Sequence, residues 1–104
     1  MWRVQYTNAA ELDLESIYEY IFFELHEPET AKKQLIRIMD AISSLYDMPY
    51  RYRLYEKEPL FSKGLRVLTL DNYLIYYLPC EPTKTVDIIR VLNGGRNILA
   101  ELSP

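Results

Sequence analysis

The sequence of 104 residues contains one cysteine, one histidine and three glycines. The lone cysteine, Cys80, excludes an intrachain disulfide and any zinc site built from several cysteines, and no nearby cation activates its thiol. The glycines do not form a phosphate-binding loop, and the chain has no nucleophile elbow. His26 lies near the C-terminal end of a predicted helix, where we expect it at the surface or as a cap rather than as a general base.

Long apolar runs are also missing. No stretch approaches the ~20 apolar residues that span a bilayer, and Glu11 and Asp13 interrupt the N-terminal region before a signal peptide could form. We therefore expect a cytoplasmic protein with no membrane partner. With 49% hydrophobic and 26% charged residues, the composition is typical of a globular protein, and the length suits one domain over residues 1–104.

Charge is modest in sum but uneven along the chain. The formal net charge of -3 argues against nucleic-acid binding over the whole surface. Residues 1–48 contain nine acidic and four basic side chains, whereas residues 49–104 contain eight basic and six acidic ones. Either the two halves present functional faces of different charge, or their charged side chains simply form a solvated surface.

Hydrophobic periodicity predicts a strand followed by two helices. Residues 2–7 alternate between apolar and polar side chains, as a half-buried strand does. Asn8 and Glu11 resemble a capping box, and apolar residues at helical spacing predict a helix over 9–26 with an acidic, solvated outer face. A second apolar stripe follows Pro28, and the short connection predicts an antiparallel helical hairpin.

The C-terminal half returns to a period of two. Residues 65–70 and 73–78 predict two strands joined by a tight Asp-Asn turn, and 85–93 predict a third. Residues 96–102 form either a short helix or an extended tail. The order of elements predicts an α+β fold of two layers, in which an N-terminal strand and a helical hairpin pack on a small, mainly antiparallel sheet.

A loop predicted over residues 49–63 contains alternating tyrosines and arginines from Tyr50 to Tyr55. The tyrosines could stack on bases while guanidinium groups hold phosphates. Alternatively, they could pack over the sheet edge and leave the arginines in solvent. Arg51 and Arg53 are therefore candidates for contact with a target.

Three further arginines lie on or near the predicted strands. Arg66 and Arg90 have apolar neighbours on their own strand faces, and Arg90 is expected to share a face with Ile88 and Leu92. A cation in such a place must find a carboxylate, reach the sheet edge or face a functional surface. Arg96 follows two glycines, where a short turn could present it outward. All three are candidates for target contact.

A series of short sequence segments extends, in a characteristic order, over nearly the whole chain. They are Val4–Thr7, Ala10–Leu14, Ile17–Ile21, Ala41–Ile42 with Leu45, Met48–Pro49, Gly64–Leu68, Asn72–Tyr77 and Ile88–Ile98. No single piece is specific, but their order and spacing resemble the RelE/ParE superfamily of toxins from bacterial type II toxin–antitoxin systems. The resemblance implies a helical hairpin packed on a small antiparallel sheet.

The resemblance implies one of two activities. RelE-like members cleave messenger RNA in the ribosomal A site with basic residues that orient phosphate, whereas ParE-like members poison DNA gyrase and need no nuclease site. Arg66 and Arg96 match basic positions of the family. Leu68 and Leu74 stand where nucleases often carry basic residues, and Ile98-Leu99 replaces the C-terminal Tyr or His of several nucleases.

These departures favour a toxin that inhibits DNA gyrase by protein–protein contact, without cofactor or metal, and that a cognate antitoxin neutralises. The alternatives are a ribosome-dependent mRNA endonuclease, whose partners are the ribosome and mRNA, and an inactive member acting as a binding module. The antitoxin would lay a helix or strand across the helical hairpin, where Tyr20, Phe22 and Phe23 widen the apolar stripe.

Overall fold

The structure is a computed structural model that describes residues 1–102. The prediction of one domain extends to Ser103 and Pro104, which lie outside the described residues. The strands are β1 (Arg3–Tyr6), β2 (Arg53–Leu54), β3 (Arg66–Leu70), β4 (Tyr73–Cys80) and β5 (Thr85–Asn93). The helices are α1 (Asn8–Glu19), α2 (Pro28–Ser43), α3 (Leu60–Lys63) and α4 (Ile98–Leu102), with a π-helical turn at Tyr20–Glu24 and 3₁₀ turns at Ser44–Tyr46 and Pro49–Arg51.

Across residues 1–102 the strands form one sheet in the order β1-β5-β4-β3-β2. The tight connections between β3, β4 and β5 make these neighbours antiparallel, and β2 also pairs antiparallel with β3. Strand β1 pairs in parallel with β5. After β1 the chain passes through α1 and α2 to the opposite edge of the sheet, where β2 lies. The predicted Asp-Asn turn is confirmed, with Asp71 at a φ of 54°.

The helical hairpin of α1 and α2 covers one face of the sheet. Leu14, Ile38 and Ile42 from the helices pack with Ile75 and Val86 from the strands in the larger of two apolar clusters. Burial of such side chains is the main favourable contribution to folding. The predicted α+β architecture, with a helical hairpin on a mainly antiparallel sheet, is confirmed.

The opposite face of the sheet carries a smaller cluster, which α3 and α4 cover. Leu60 of α3 and Ile98 of α4 pack there against Val67, Tyr76 and Leu92. The prediction of a loop over residues 49–63 was therefore wrong in part, because this segment contains β2 and α3. Elements of two and four residues are too short to show a periodicity in the sequence.

The first helix begins and ends differently from the prediction. Its N-cap is Thr7, whose Oγ1 accepts a hydrogen bond of 3.0 Å from the backbone N–H of Ala10. The predicted capping box at Asn8 was wrong, because the helix begins one residue earlier than that box requires: Asn8 is already helical and the side chain of Thr7 caps the first turn. Its last turn, Tyr20–Glu24, is π-helical.

A β-bulge in β5 changes which side chains share a face. Tyr76 pairs with Arg90 and Tyr77 with Ile88, so that Ile89 is the extra residue. Ile88 consequently packs in the cluster under the hairpin, whereas Leu92 packs in the opposite cluster. The prediction that Arg90 shares one face with both residues was wrong for this reason.

Candidate functional site

A buried ion pair joins α1 to β5. The carboxylate of Asp13 accepts hydrogen bonds from Nε and Nη2 of Arg90, each at 2.7 Å, and from the backbone N–H of Val91 at 2.9 Å. The side chains of Asp13 and Arg90 are 9% and 14% exposed. Hydrogen bonding to Asp13 raises the pKa of the Arg90 guanidinium despite its burial.

The same network reaches the C-terminal helix. Nη1 of Arg90 donates a hydrogen bond of 3.2 Å to the backbone carbonyl of Glu101, and the Glu101 carboxylate accepts two from Arg96, at 2.5 and 3.2 Å. Arg96 is half-exposed and Glu101 mostly buried. Both arginines therefore have their charge balanced within the chain.

A polar cleft of about 430 Å³ opens beside this network, between α1 and the end of β5. Arg90, Arg96, Tyr20 and Tyr73 are among its lining residues. Burial raises the pKa of Tyr73, and the nearby charge of Asp71 adds to the effect. A phenol of this kind keeps its proton near neutral pH and is a poor general base.

Arg66 fixes the segment that follows α2. Its Nη1 donates hydrogen bonds to the backbone carbonyls of Tyr50 and Tyr52, at 3.0 and 2.7 Å, and its guanidinium lies 5.0 Å from the centre of the Tyr50 ring. Its Nε is buried and has no hydrogen-bond partner in the described part of the chain. The hydroxyl of Tyr77 holds the same segment by donating to the carbonyl of Pro49 at 2.6 Å.

Arg51 and Arg53 are both exposed. Arg51 donates to the hydroxyl of Ser44 at 2.8 Å and lies 5.1 Å from the centre of the Tyr52 ring. The side chain of Arg53 makes no hydrogen bond or ion pair within residues 1–102. Tyr52 and Tyr55 are half-buried against the core clusters, as the packing interpretation of this segment predicts.

The aromatic candidates of the helical hairpin lie in its π-helical turn. Tyr20 is 56% exposed and Phe23 61% exposed, whereas Phe22 is half-buried. The rings of Phe22 and Phe23 are 4.7 Å apart between centres, and Tyr18 lies 5.6 Å from Phe22. The turn thus presents an apolar surface at the tip of the hairpin, next to the cleft.

Neither His26 nor Cys80 lines the cleft. His26 is exposed in the connection between the π-helical turn and α2, and Cys80 ends β4. Among residues 1–102 no three His, Cys, Asp or Glu side chains are grouped closely enough to hold a metal ion. No helix in the same range combines the length and apolar character needed to cross a membrane.

The sequence reasoning missed Asp13. It assigned the acidic residues of the first helix to the solvated outer face, and for Asp13 this was wrong. The available signal was its position: Asp13 follows Ala10 by three residues and precedes Ile17 by four, so that it lies on the buried side of the helix. Leu68 and Leu74, which stand at basic positions of the nucleases, belong to the two apolar clusters.

A helical hairpin packed on a five-stranded sheet, with internally paired arginines beside a polar cleft, defines a small α+β protein of the RelE/ParE-like fold. A family model described as "ParE toxin of type II toxin-antitoxin system, parDE" matches residues 4–98. The chain therefore belongs to this family of toxins, and the predicted membership of the RelE/ParE superfamily is confirmed. None of the curated proteins matches the sequence.

Two solved toxin–antitoxin structures contain similar chains. A chain of the chromosomal ParDE system from P. aeruginosa is 25% identical, with a TM-score of 0.73, and the match covers 89% of this chain and 96% of that one. A chain of the RelBE2 complex from Mycobacterium tuberculosis is 20% identical, with a TM-score of 0.66 and coverages of 88% and 96%. The second likeness concerns the fold alone.

Proposed function

We propose that this toxin inhibits DNA gyrase by protein–protein contact in the cytoplasm and that a cognate antitoxin neutralises it. Membership of the ParE family supports this target, since ParE-like members poison gyrase. The similar chain from P. aeruginosa belongs to a ParDE system, which is consistent with the same class of target.

The internal pairing of the arginines is the observation that carries the proposal. An RNA-cleaving site needs positive charge aimed at the phosphate and a group that moves the proton. Asp13 and Glu101 balance Arg90 and Arg96, while backbone carbonyls occupy Arg66. The cleft therefore offers little free charge for phosphoryl transfer, and a protein target requires none.

Cleavage of mRNA on the ribosome is the second candidate function. Its supporting observation is that Arg90 and half-exposed Arg96 line one polar cleft together with Tyr73. RNA phosphates would have to displace Glu101 from Arg96 before the guanidinium could act on them. This additional cost makes the gyrase proposal the stronger one.

The five candidate arginines differ in how freely they could meet a target. Arg53 and Arg51 are exposed and make no ion pair within residues 1–102, so we assign the target contact first to them. Arg96 is half-exposed and could contribute at the edge of the cleft. Arg66 and Arg90 are engaged within the fold, and we propose that they act by positioning the neighbouring surface.

The proposed antitoxin contact is the hairpin tip formed by Tyr20, Phe22 and Phe23. Exposed aromatic side chains that cluster on one turn are typical anchors for an amphipathic helix or an added strand. The similar chain from P. aeruginosa comes from a ParDE toxin–antitoxin system, and the matching family model describes toxins of such systems, which supports a partner of this kind.

Purified toxin added to a gyrase supercoiling and DNA-cleavage assay tests the function. We expect loss of supercoiling and accumulation of cleaved DNA, both reversed by the antitoxin encoded beside the toxin gene. A parallel translating extract, in which mRNA ends are mapped, tests the alternative. Codon-phased cuts with intact gyrase activity would replace the proposal by the nuclease function, and no effect in either assay would indicate an inactive binding module.

A further inference from the structure

Five residues are close together at the end of the sheet where β1 begins, and we call them the aromatic end surface: Trp2, Tyr46, Met48, Tyr50 and Arg51. The N–H of Trp2 donates to the carbonyl of Tyr46 at 3.0 Å. The rings of Trp2 and Tyr50 meet edge to face, with centres 5.6 Å apart. The N–H of Arg51 donates to the carbonyl of Met48 at 3.2 Å.

This surface is open to solvent and has the composition of an interface. Met48 is 65% exposed, and Tyr46 and Tyr50 are nearly half-exposed. Trp, Tyr, Met and Arg are the residue types enriched in the cores of protein–protein interfaces, and Trp, Tyr and Arg supply most hot spots. The hydrogen bonds of Arg66 and Tyr77 hold its backbone in place, so that it needs little ordering on binding.

The charge of the surface indicates the chemistry of its partner. Elsewhere in residues 1–102, Arg37, Arg90 and Arg96 each pair with a carboxylate. Arg51 and Arg66, by contrast, bond neutral oxygen atoms and make no ion pair within the same range. Arg51 and Arg66 therefore have no carboxylate partner of their own, whereas Lys84 at the same end of the sheet pairs with Glu81.

The aromatic rings favour a protein over a nucleic acid as the partner. Lys84 lies 4.8 Å from the centre of the Trp2 ring, Arg66 lies over Tyr50 and Arg51 over Tyr52. A base stacks on an open aromatic face, and Trp2, Tyr50 and the neighbouring Tyr52 each already have a cation over one face. A carboxylate from a protein can instead approach the guanidinium groups and leave these contacts intact.

We propose that the aromatic end surface is the docking surface for the toxin's protein target, and that an acidic, partly apolar patch of that target binds it. The inference extends the proposed function, because it names the surface that would contact gyrase. Apolar anchors at Met48 and Tyr50 would enter the target's surface, and Arg51 would meet its carboxylates.

Two variants test the surface without removing the fold. Met48 has a left-handed backbone, with φ 53° and ψ 58°, which asparagine tolerates, so Met48→Asn removes the apolar side chain and keeps the turn. Arg51→Glu reverses the exposed charge. Phe61→Ala and Lys63→Glu are matched controls, because both residues are exposed on α3.

Growth arrest on expression and inhibition of purified gyrase are measured for each variant, together with its melting temperature. We expect Arg51→Glu to weaken inhibition at least about tenfold and to relieve growth arrest, with a smaller loss for Met48→Asn, while both controls act as the parent protein. Raising the salt concentration should weaken the parent's inhibition more than that of Arg51→Glu.

The growth-arrest assay tests the docking surface, and the gyrase assay tests whether gyrase is the target. If both variants relieve growth arrest but the parent protein does not inhibit purified gyrase, the docking surface is supported and the proposed function is refuted. If folded variants arrest growth like the controls, or if the parent chain arrests nothing, the docking surface is refuted. Binding of a single-stranded oligonucleotide that Arg51→Glu abolishes would also overturn it, in favour of a nucleic-acid partner.

Discussion

Asp13 and Arg90 are 77 residues apart in the chain, yet their largely buried side chains form an ion pair with two hydrogen bonds. The pair connects the first helix to the last strand at the β-bulge, and Val91 adds a third hydrogen bond to the same carboxylate. Two segments that are far apart in the chain are thus joined by charge as well as by apolar packing.

Replacing one partner of this pair should destabilise the fold strongly. Asp13→Asn removes the carboxylate that accepts two hydrogen bonds from Arg90 and leaves the guanidinium only a longer contact with Glu101, at 3.7 Å. We expect the free energy of unfolding to fall by about 3 kcal/mol. Urea denaturation at neutral pH measures the change. Glu15→Gln, an exposed change on the same helix, should have little effect, and a loss of less than about 1 kcal/mol in Asp13→Asn would contradict a structural role for the pair.

Tyr77 should make stability fall at high pH. Burial raises the pKa of Tyr77 to about 12 from a usual value of 10.0. Its neutral form is therefore favoured in the folded protein, and this contribution is intact below pH 10 and lost between pH 10 and 12. The loss amounts to about 2–3 kcal/mol, at 1.36 kcal/mol for each pKa unit.

Tyr77→Phe isolates that effect, because the other tyrosines titrate equally in both proteins. At pH 8 we expect the variant to be less stable by about 1–2 kcal/mol, since the carbonyl of Pro49 loses its donor. The difference should shrink above pH 10 and vanish or reverse near pH 12. Urea denaturation at pH 8 and 11.5 measures it, and a constant difference would show that Tyr77 does not titrate as described.

Asp71 should contribute to the acid dependence of stability. Hydrogen bonds from Arg37 and Gln34 hold the pKa of the Asp71 carboxyl below its usual value of 3.8. The stabilisation is therefore present above pH 3.8 and is lost as the pH falls through the lower pKa of the folded state. Asp71→Asn keeps the left-handed turn, so the melting temperatures of parent and variant should converge below pH 3.8. Melting temperatures that stay equally far apart down to pH 2 would refute this contribution.

The hairpin tip should matter for the antitoxin more than for the fold. Tyr20→Ala and Phe23→Ala remove exposed rings, and we expect each to weaken antitoxin binding by about tenfold while the melting temperature changes little. Titration calorimetry with the purified antitoxin measures the affinity. Phe61→Ala, the loss of a similarly exposed ring on α3, is the control. Equal affinities for all three variants and the parent would place the antitoxin elsewhere.

Local sequence patterns predicted most of the fold. Alternation predicted β5 at its observed bounds, residues 85–93, and helical spacing predicted the hairpin under which the larger cluster packs. The elements that local patterns missed, β2 and α3, are too short to repeat a period. The bulge at Ile89 was also missed, because one extra residue in a strand leaves the apolar composition of the segment unchanged.

The sequence by itself determined the two helices, the three long strands and the arginines worth testing, because periodicity and charge are properties of neighbouring residues. Only the tertiary structure decided which arginines are without an ion pair to a carboxylate in the described part of the chain. Arg90 found its counterion on a helix 77 residues away, whereas Arg51 bonds the neutral hydroxyl of Ser44. The pairing of a charge depends on which distant segments the fold brings into contact, and local sequence patterns do not carry that information.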